Sequence, residues 1–309
     1  MRAVYIEAYG GKEQLKYGEL PRPAIGADDV LIEVHAAGVN PVDWKIREGY
    51  LKQRLNYTFP LILGWDAAGV VVETGSNVTQ FQVGDKVFTR PEIERNGSYA
   101  EYLAVVERLV APMPKNISFE EAASIPLAGL TAWQALVDTA HVQSGDKVLV
   151  HAGAGGVGVY AIQIAKAYGA HVATTVSERN LDLVRSLGAD VVIDYVREDF
   201  VERVRDYDIV LDTMGGDVQR RSYDVLKPGG ILVSIINPPD PDTAAKHRVR
   251  AEYFFLEPDG KKLAKLGELV EQGRVRPVVG HVFALEQAAK AHELSESHHA
   301  RGKIVLQVK

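Results

Sequence analysis

The sequence predicts an α/β protein in which a small, mostly antiparallel β domain precedes a doubly wound parallel sheet. Three observations carry this. Short apolar strands separated by Gly-Asp and Gly-Ser turns fill the chain to about residue 110. Strands then alternate with helix-period segments between about 147 and 236. The first strand-to-helix join of that second region is a glycine-rich turn, Gly153-Ala-Gly-Gly-Val-Gly158.

In the first region, residues 30–36 partly alternate, 68–73 are an apolar run, and 86–88 and 102–106 follow the turns Gly84-Asp85 and Gly97-Ser98. From Ser118 the period changes. Ser118 and Glu121 have capping-box spacing, and Ala122, Ala123, Leu130, Ala135, Leu136 and Ala140 are placed as in one or two helices. Residues 147–152 read as a buried strand opened by the turn Ser144-Gly145-Asp146. After the glycine turn, Val157, Ala161, Ile164, Ala165 and Tyr168 recur at helical spacing, and Gly169 stands where a C-terminal cap belongs. Strands at 171–176, 191–194, 209–212 and 231–236 then alternate with helices near 181–187, 200–204 and 220–226. The proline-rich 237–242 reads as a loop. A last strand at 248–256, a helix at 261–271 closed by Gly273 and a terminal strand at 304–308 complete the chain, the tail returning to the first domain.

Composition narrows the function. The chain has 309 residues, 46% hydrophobic and 25% charged, enough for two soluble globular domains. A formal charge of −6 without a basic run argues against a specific nucleic-acid partner. The chain has no cysteine, which excludes disulfides and thiolate metal sites. The start lacks the apolar core of a signal peptide, and no uncharged run is long enough to span a bilayer, so a cytoplasmic protein is expected.

The turn fits G-x-G-x-x-G. Gly153, Gly155, Gly156 and Gly158, with Val157, allow a tight turn, close backbone approach to a pyrophosphate and close packing of helix on strand. The free N–H groups of the following helix face the anion. Its position between a strand and a helix, with a second strand following, makes dinucleotide binding the expectation. Where NAD proteins commonly place a carboxylate for the adenine ribose, this chain has Thr174-Thr175. Ser177, Arg179 and Asn180 follow, with a hydroxyl, a guanidinium and an amide able to hold a 2′-phosphate, so NADP(H) is expected.

Gly38-Val-Asn-Pro-Val-Asp43, Gly64-Trp-Asp-Ala-Ala-Gly69, Gly97-Ser-Tyr-Ala-Glu-Tyr102, Pro126-Leu-Ala-Gly-Leu-Thr-Ala-Trp133, the glycine turn and Leu187-Gly-Ala-Asp190 together resemble the medium-chain dehydrogenase/reductase superfamily over nearly the whole chain. They look most like its zinc-free branch of quinone oxidoreductases, zeta-crystallin and alkenal reductases. The resemblance implies a GroES-like β-rich catalytic domain (1–120 and 258–309) and a Rossmann NADP-binding domain (121–257). It places the cysteine ligand of zinc alcohol dehydrogenases at Asn40 and their His-Glu pair at Trp65-Asp66, and the cysteine-rich structural lobe is missing, so no metal is expected. Without a Lewis acid to hold an alkoxide, alcohols are poor substrates. Quinones and α,β-unsaturated carbonyls accept hydride without prior deprotonation and form delocalised anions that hydrogen-bond donors can hold.

The expected activity is therefore NADPH-dependent reduction of a small quinone or enone. The open alternative is a non-catalytic NADPH-binding redox sensor or crystallin-like protein. The resemblance implies catalytic roles for Asn40, Asp43 and Lys45, with Lys45 also near the nicotinamide. Trp65, Tyr50 and Phe254 are candidate substrate-pocket residues, with Tyr50 and Tyr57 possible proton donors. On the cofactor side it carries over Thr131 to the nicotinamide, the glycine turn to the pyrophosphate, Ser177, Arg179 and Asn180 to the 2′-phosphate, Tyr195 to the adenine, and Lys303 to the phosphate or nicotinamide edge. A homodimer paired through the strand near 248–256 is expected.

Overall fold

Apolar residues on both faces make the strand Asp29–Val39 the axis of the first of two units that the chain forms in a computed structural model describing residues 1–309. That unit comprises Met1–Leu130, Pro258–Gln272 and Pro277–Lys309. Residues 30–36 were expected to alternate only in part. The strand is instead buried almost throughout, because neighbours pair with it on both edges and helical segments cover the sheet. Across the sheet the order is Val279–Ala284, Lys303–Gln307, Asp29–Val39, Ala67–Thr74, Lys86–Thr89, Val110–Pro112, and Tyr102–Val106 also pairs with Asp29–Val39. All pairings are antiparallel except that of Val279–Ala284 with Lys303–Gln307. Val30, Ile32, Val34, Val71, Val87 and Leu103 form its core. A small sheet of Lys16–Glu19, Arg2–Ile6 and Leu61–Ile62 completes the β structure of this unit.

The second unit, Thr131–Glu257 with Gly273–Arg276, is built on six parallel strands. Along the chain they are Lys147–Val150, His171–Val176, Val191–Asp194, Tyr207–Asp212, Leu226–Ser234 and Arg250–Tyr253; across the sheet they run 3-2-1-4-5-6. This is the doubly wound Rossmann order, whose ligand crevice lies beyond the carboxyl ends of strands 1 and 4. The glycine turn leaves the end of strand 1. Leu149, Ala173, Ile193, Val210 and Leu232 are central core residues.

Three expectations about elements need correction. The helix expected near 220–226 is Gly216–Ser222, followed by a single 3-10 turn, Tyr223–Val225. Gly215, at φ 70°, lets the chain turn into the helix directly after the preceding strand. The strand expected at 231–236 starts at Leu226, because the exposed residues 227–229 form a bulge between the paired Leu226 and Ile231. The loop expected at 237–242 ends at a helix, Pro241–His247. Pro241 is its first residue, and Asp240 caps it by accepting from the N–H groups of Asp242 (3.3 Å) and Thr243 (3.2 Å). No helix is long and apolar enough to cross a membrane.

Candidate functional site

Four neighbouring strands of the first unit meet at one end of their sheet, and each carries a polar residue there. Lys303 opens Lys303–Gln307, Asn40 follows Val39, Asp66 precedes Ala67, and Arg90 follows Thr89. The register Ile304↔Val39, Ala37↔Ala67 and Ala67↔Thr89 sets them side by side. All four are buried. The Asn40 amide donates from Nδ2 to Asp66 Oδ2 at 2.8 Å, and Asp66 Oδ1 accepts the Leu127 N–H at 2.7 Å. The Lys303 ammonium donates to Val39 O at 3.2 Å and to Asn40 Oδ1, and lies 3.5 Å from Asp66 Oδ2. Burial pushes the Asp66 carboxyl up and the Lys303 ammonium down, and each partner's charge opposes that shift.

Asp43 lies one helical turn beyond Asn40 on Pro41–Arg47, where the two form a capping box. Its Oδ2 accepts the Asn40 backbone N–H and the Tyr99 hydroxyl, both at 2.8 Å, while Oδ1 is buried without a partner. Burial raises its pKa to about 7, against the lowering effect of those two hydrogen bonds. Behind Tyr99 stands His292, its Nε2 3.3 Å from the hydroxyl and its Nδ1 3.2 Å from Arg47 Nη1. Arginine only donates, so Nδ1 accepts and Nε2 carries the hydrogen, a tautomer assigned from its partners. Every donor in the chain Arg47, His292, Tyr99 thus points toward Asp43 Oδ2, and a proton held by Asp43 sits on Oδ1. Burial and Arg47 depress His292 to about 3, so the ring is neutral. Arg47 is itself balanced by Glu48 and by Glu296 at 2.8 Å.

The other expected residues of this unit are dispersed around the cluster. Asp43 bonds Asn40 and not Lys45, whose ammonium lies 5.7 Å from the Trp44 ring centre. Trp65 is fully buried, its Nε1 donating to Arg95 O at 3.3 Å and its ring 6.2 Å from that of Tyr57. The Tyr57 hydroxyl donates to Ile93 O at 2.6 Å, and burial raises its pKa. Tyr50 is 68% exposed, its ring edge-on to Trp44 at 6.0 Å. Lys303, assigned by resemblance to the cofactor, spends its ammonium on Val39, Asn40 and Asp66. Arg90, Tyr99, Arg47 and His292 had no signal in sequence spacing.

In the second unit the glycine turn is held from below. The Gly153 N–H donates to Thr175 O and the Ala152 N–H to Thr175 Oγ1, both at 3.1 Å, while Thr174 Oγ1 donates to Val150 O at 2.7 Å. His151 joins Thr175 Oγ1 (3.2 Å) to Ser222 Oγ (2.9 Å), and burial keeps its ring neutral, with a pKa of about 4. A Cβ on Gly158 would lie 2.4 Å from Ala152 O and 2.7 Å from Gly153 Cα, so only glycine lets the helix Gly158–Ala167 start this close to the turn. No side chain caps that helix at its N-terminus, which leaves amide N–H groups for an anion. Ser177, Arg179 and Asn180 follow strand 2. Tyr195, 61% exposed, follows strand 3 and donates its N–H to Val176 O at 3.1 Å, which brings it beside them. Asn180 donates to Ser177 Oγ at 3.3 Å, while its buried Oδ1 has no partner. Phe254 is half-buried just past strand 6, and Thr131 is buried where this unit begins. The residues fit a dinucleotide with a 2′-phosphate. Arg179→Ala is expected to weaken NADPH binding about 10- to 100-fold, the loss of one charge-assisted contact, and to leave NADH unchanged. Nicotinamide fluorescence titration checks this, and equal weakening of both would remove the phosphate role.

Two family models match the chain: "Alcohol dehydrogenase GroES-like domain" over residues 26–115 and "Zinc-binding dehydrogenase" over 187–306. Among curated relatives, the chloroplastic NADPH-dependent alkenal/one oxidoreductase of Arabidopsis thaliana is 40% identical over 99% of this chain and 79% of its own. The mitochondrial NAD(P)H oxidoreductase RTN4IP1 of Danio rerio is 35% identical over 100% and 91%. Among solved structures, the quinone oxidoreductase from Coxiella burnetii superposes with a TM-score of 0.91 at 39% identity, covering 100% of this chain and 99% of that one.

Proposed function

The chain belongs to the medium-chain dehydrogenase/reductase superfamily, with quinone oxidoreductases and alkenal reductases as its relatives, and from that premise we propose that it uses NADPH to reduce quinones or α,β-unsaturated aldehydes and ketones without a metal ion. The observation that carries the metal-free reading is the Lys303 ammonium seated against Asn40 and Asp66, where zinc alcohol dehydrogenases have ligands. An amide, a carboxylate and an ammonium do not make a tetrahedral zinc site, and no three His, Asp or Glu side chains come together elsewhere.

The glycine turn, Ser177, Arg179, Asn180 and Tyr195 of the second unit hold the cofactor, with Thr131 of the same unit for its nicotinamide; Lys45 is the first unit's candidate for that end. When bound, NADPH supplies the hydride. Asn40 gives one Nδ2 hydrogen to Asp66 and offers the second to an acceptor oxygen, while Lys303 on Oδ1 polarises the amide. Asp43 stores a proton on Oδ1 up to a pH of about 7, which suits it to replace the proton that reduction consumes. Tyr50 and Trp65 in the first unit and Phe254 in the second are the candidate acceptor-binding residues, Tyr50 being the exposed one. Residence in the cytoplasm and a homodimer paired along the exposed edge strand Arg250–Tyr253 belong to the same proposal.

Purified protein mixed with NADPH and a panel of quinones, enals and enones is expected to consume NADPH only when an acceptor is present, and equally with a chelator. Saturable NADPH binding without acceptor-dependent loss of nicotinamide absorbance would instead support the sensor or crystallin-like role. Chelator-sensitive oxidation of saturated alcohols would overturn the metal-free reading.

A further inference from the structure

Two arginines of the first unit are almost wholly buried, and they are treated in opposite ways. Arg47 has Glu48 and Glu296 bonded to it. Arg90, 2% exposed, has only the Pro91 carbonyl on Nη1, its Nε has no partner, and it makes no salt bridge. A guanidinium stays protonated in a protein, so this is a buried charge with donors to spare.

Its position gives the charge a use. Arg90 stands one residue past Thr89, whose partner across the ladder is Ala67, so Arg90 and Asp66 are neighbours at the sheet end that also carries Asn40 and Lys303. Asp66 is already engaged by Lys303, Asn40 and the Leu127 N–H. Arg90 bonds none of the carboxylates near it, Asp66, Asp43 and Glu94, so its guanidinium keeps a donor free at the sheet end beside Asn40.

We propose that Arg90 binds the carbonyl oxygen of the acceptor and carries the negative charge that develops there during reduction. This rests on the reductase reading above and names the group that replaces a Lewis acid. In an enone, the hydride released as the nicotinamide C4–H bond breaks and NADPH is oxidised to NADP⁺ would form, with its electron pair, a C–H bond at the β-carbon. The C=C pair moves to the Cα–carbonyl bond, and the carbonyl π pair moves to oxygen as an enolate. Arg90 keeps its protons throughout, and a proton from Asp43 or water then adds to Cα to give the saturated carbonyl. In a quinone, hydride taken up at one carbonyl oxygen sends the ring π electrons to the other oxygen and gives a hydroquinone monoanion, which a proton neutralises. An enolate concentrates more charge on one oxygen than a hydroquinone anion does, so enones depend more on Arg90.

The test uses 4-nitrophenol, whose phenolate is coloured and resembles the developing anion, together with Arg90→Gln and Arg90→Met. The wild-type protein is expected to bind phenolate over phenol and lower the probe's apparent pKa. Both variants are expected to bind phenolate about tenfold or more weakly, to lose roughly 100-fold in kcat/KM for enones and less for quinones, and to keep the wild-type NADPH affinity by nicotinamide fluorescence. A folded variant with wild-type phenolate binding and enone turnover overturns the proposal. So does an unshifted or raised probe pKa on the wild-type protein, a result that requires no variant to fold. If the wild-type protein turns over no acceptor yet binds phenolate through Arg90, the reductase reading falls and the anion site stands.

Discussion

Replacing Lys303 by Met is expected to destabilise the first unit by about 3 kcal/mol, because it takes the nearest cation from the buried Asp66 carboxylate and leaves only Arg90 beside it. Lys303 and Asp66 are 3% and 0% exposed, with 3.5 Å between Nζ and Oδ2. Burial disfavours the charged form of both, so the pair is held by mutual attraction plus hydrogen bonds, and removing one member takes away the largest charge that offsets the other's desolvation. Asp66 would keep the Asn40 and Leu127 donors, which limits the damage without cancelling it. The double variant Lys303→Met/Asp66→Asn removes both charges of the pair, and its side-chain carbonyl still accepts the Leu127 N–H, but it takes the neighbouring carboxylate from Arg90, so it is expected to recover only part of the loss. Denaturant unfolding followed by tryptophan emission measures the three, Trp44 and Trp65 both lying in the first unit. Costs that simply add would mean the two charges are not coupled.

How far the sequence foretold this arrangement depends on the range over which each signal acts. The parallel sheet of the second unit was legible because each strand, turn and helix declares itself within a few residues, as in 147–158. The helix Pro241–His247 had a local signal too, Asp240 before a proline at the first helical position, hidden by a density of prolines that reads as a loop. Asn40 and Asp66 could be singled out only through resemblance. Lys303 meets Asn40 across 263 residues, and His292 meets Tyr99 across 193. Strand register makes the first contact, and packing of the helix Ala288–Glu296 makes the second; no periodicity within one element encodes which residue its neighbour will present. Arg90 escaped for the same reason: a lone arginine after Thr89 reads as surface charge until the register places it beside Asp66.

Asp43 gives the second large effect, a stability difference whose sign reverses the usual acid response. Its carboxyl holds a proton to about pH 7 in the fold but only to 3.8 when exposed, so the folded state binds the extra proton between those values. Stability from this group is complete below about pH 4 and falls as pH rises through 7, by about 1.4 kcal/mol per pH unit and roughly 4 kcal/mol in total. His292 and His151, depressed from 6.5 to about 3 and about 4, act oppositely: their contribution is present above 6.5 and is lost as pH falls toward the folded values. The wild-type profile therefore blends opposing slopes, and the Asp43 share emerges only by difference. Asp43→Asn keeps a carbonyl for the Tyr99 and Asn40 donors and puts an amide where Oδ1 lacks a partner. Its stability relative to the wild type is expected to improve by about 3–4 kcal/mol from pH 4.5 to pH 8, read as the gap between urea midpoints. Parallel curves would show that Asp43 is ionised throughout, and its role as the proton store would fall with that result.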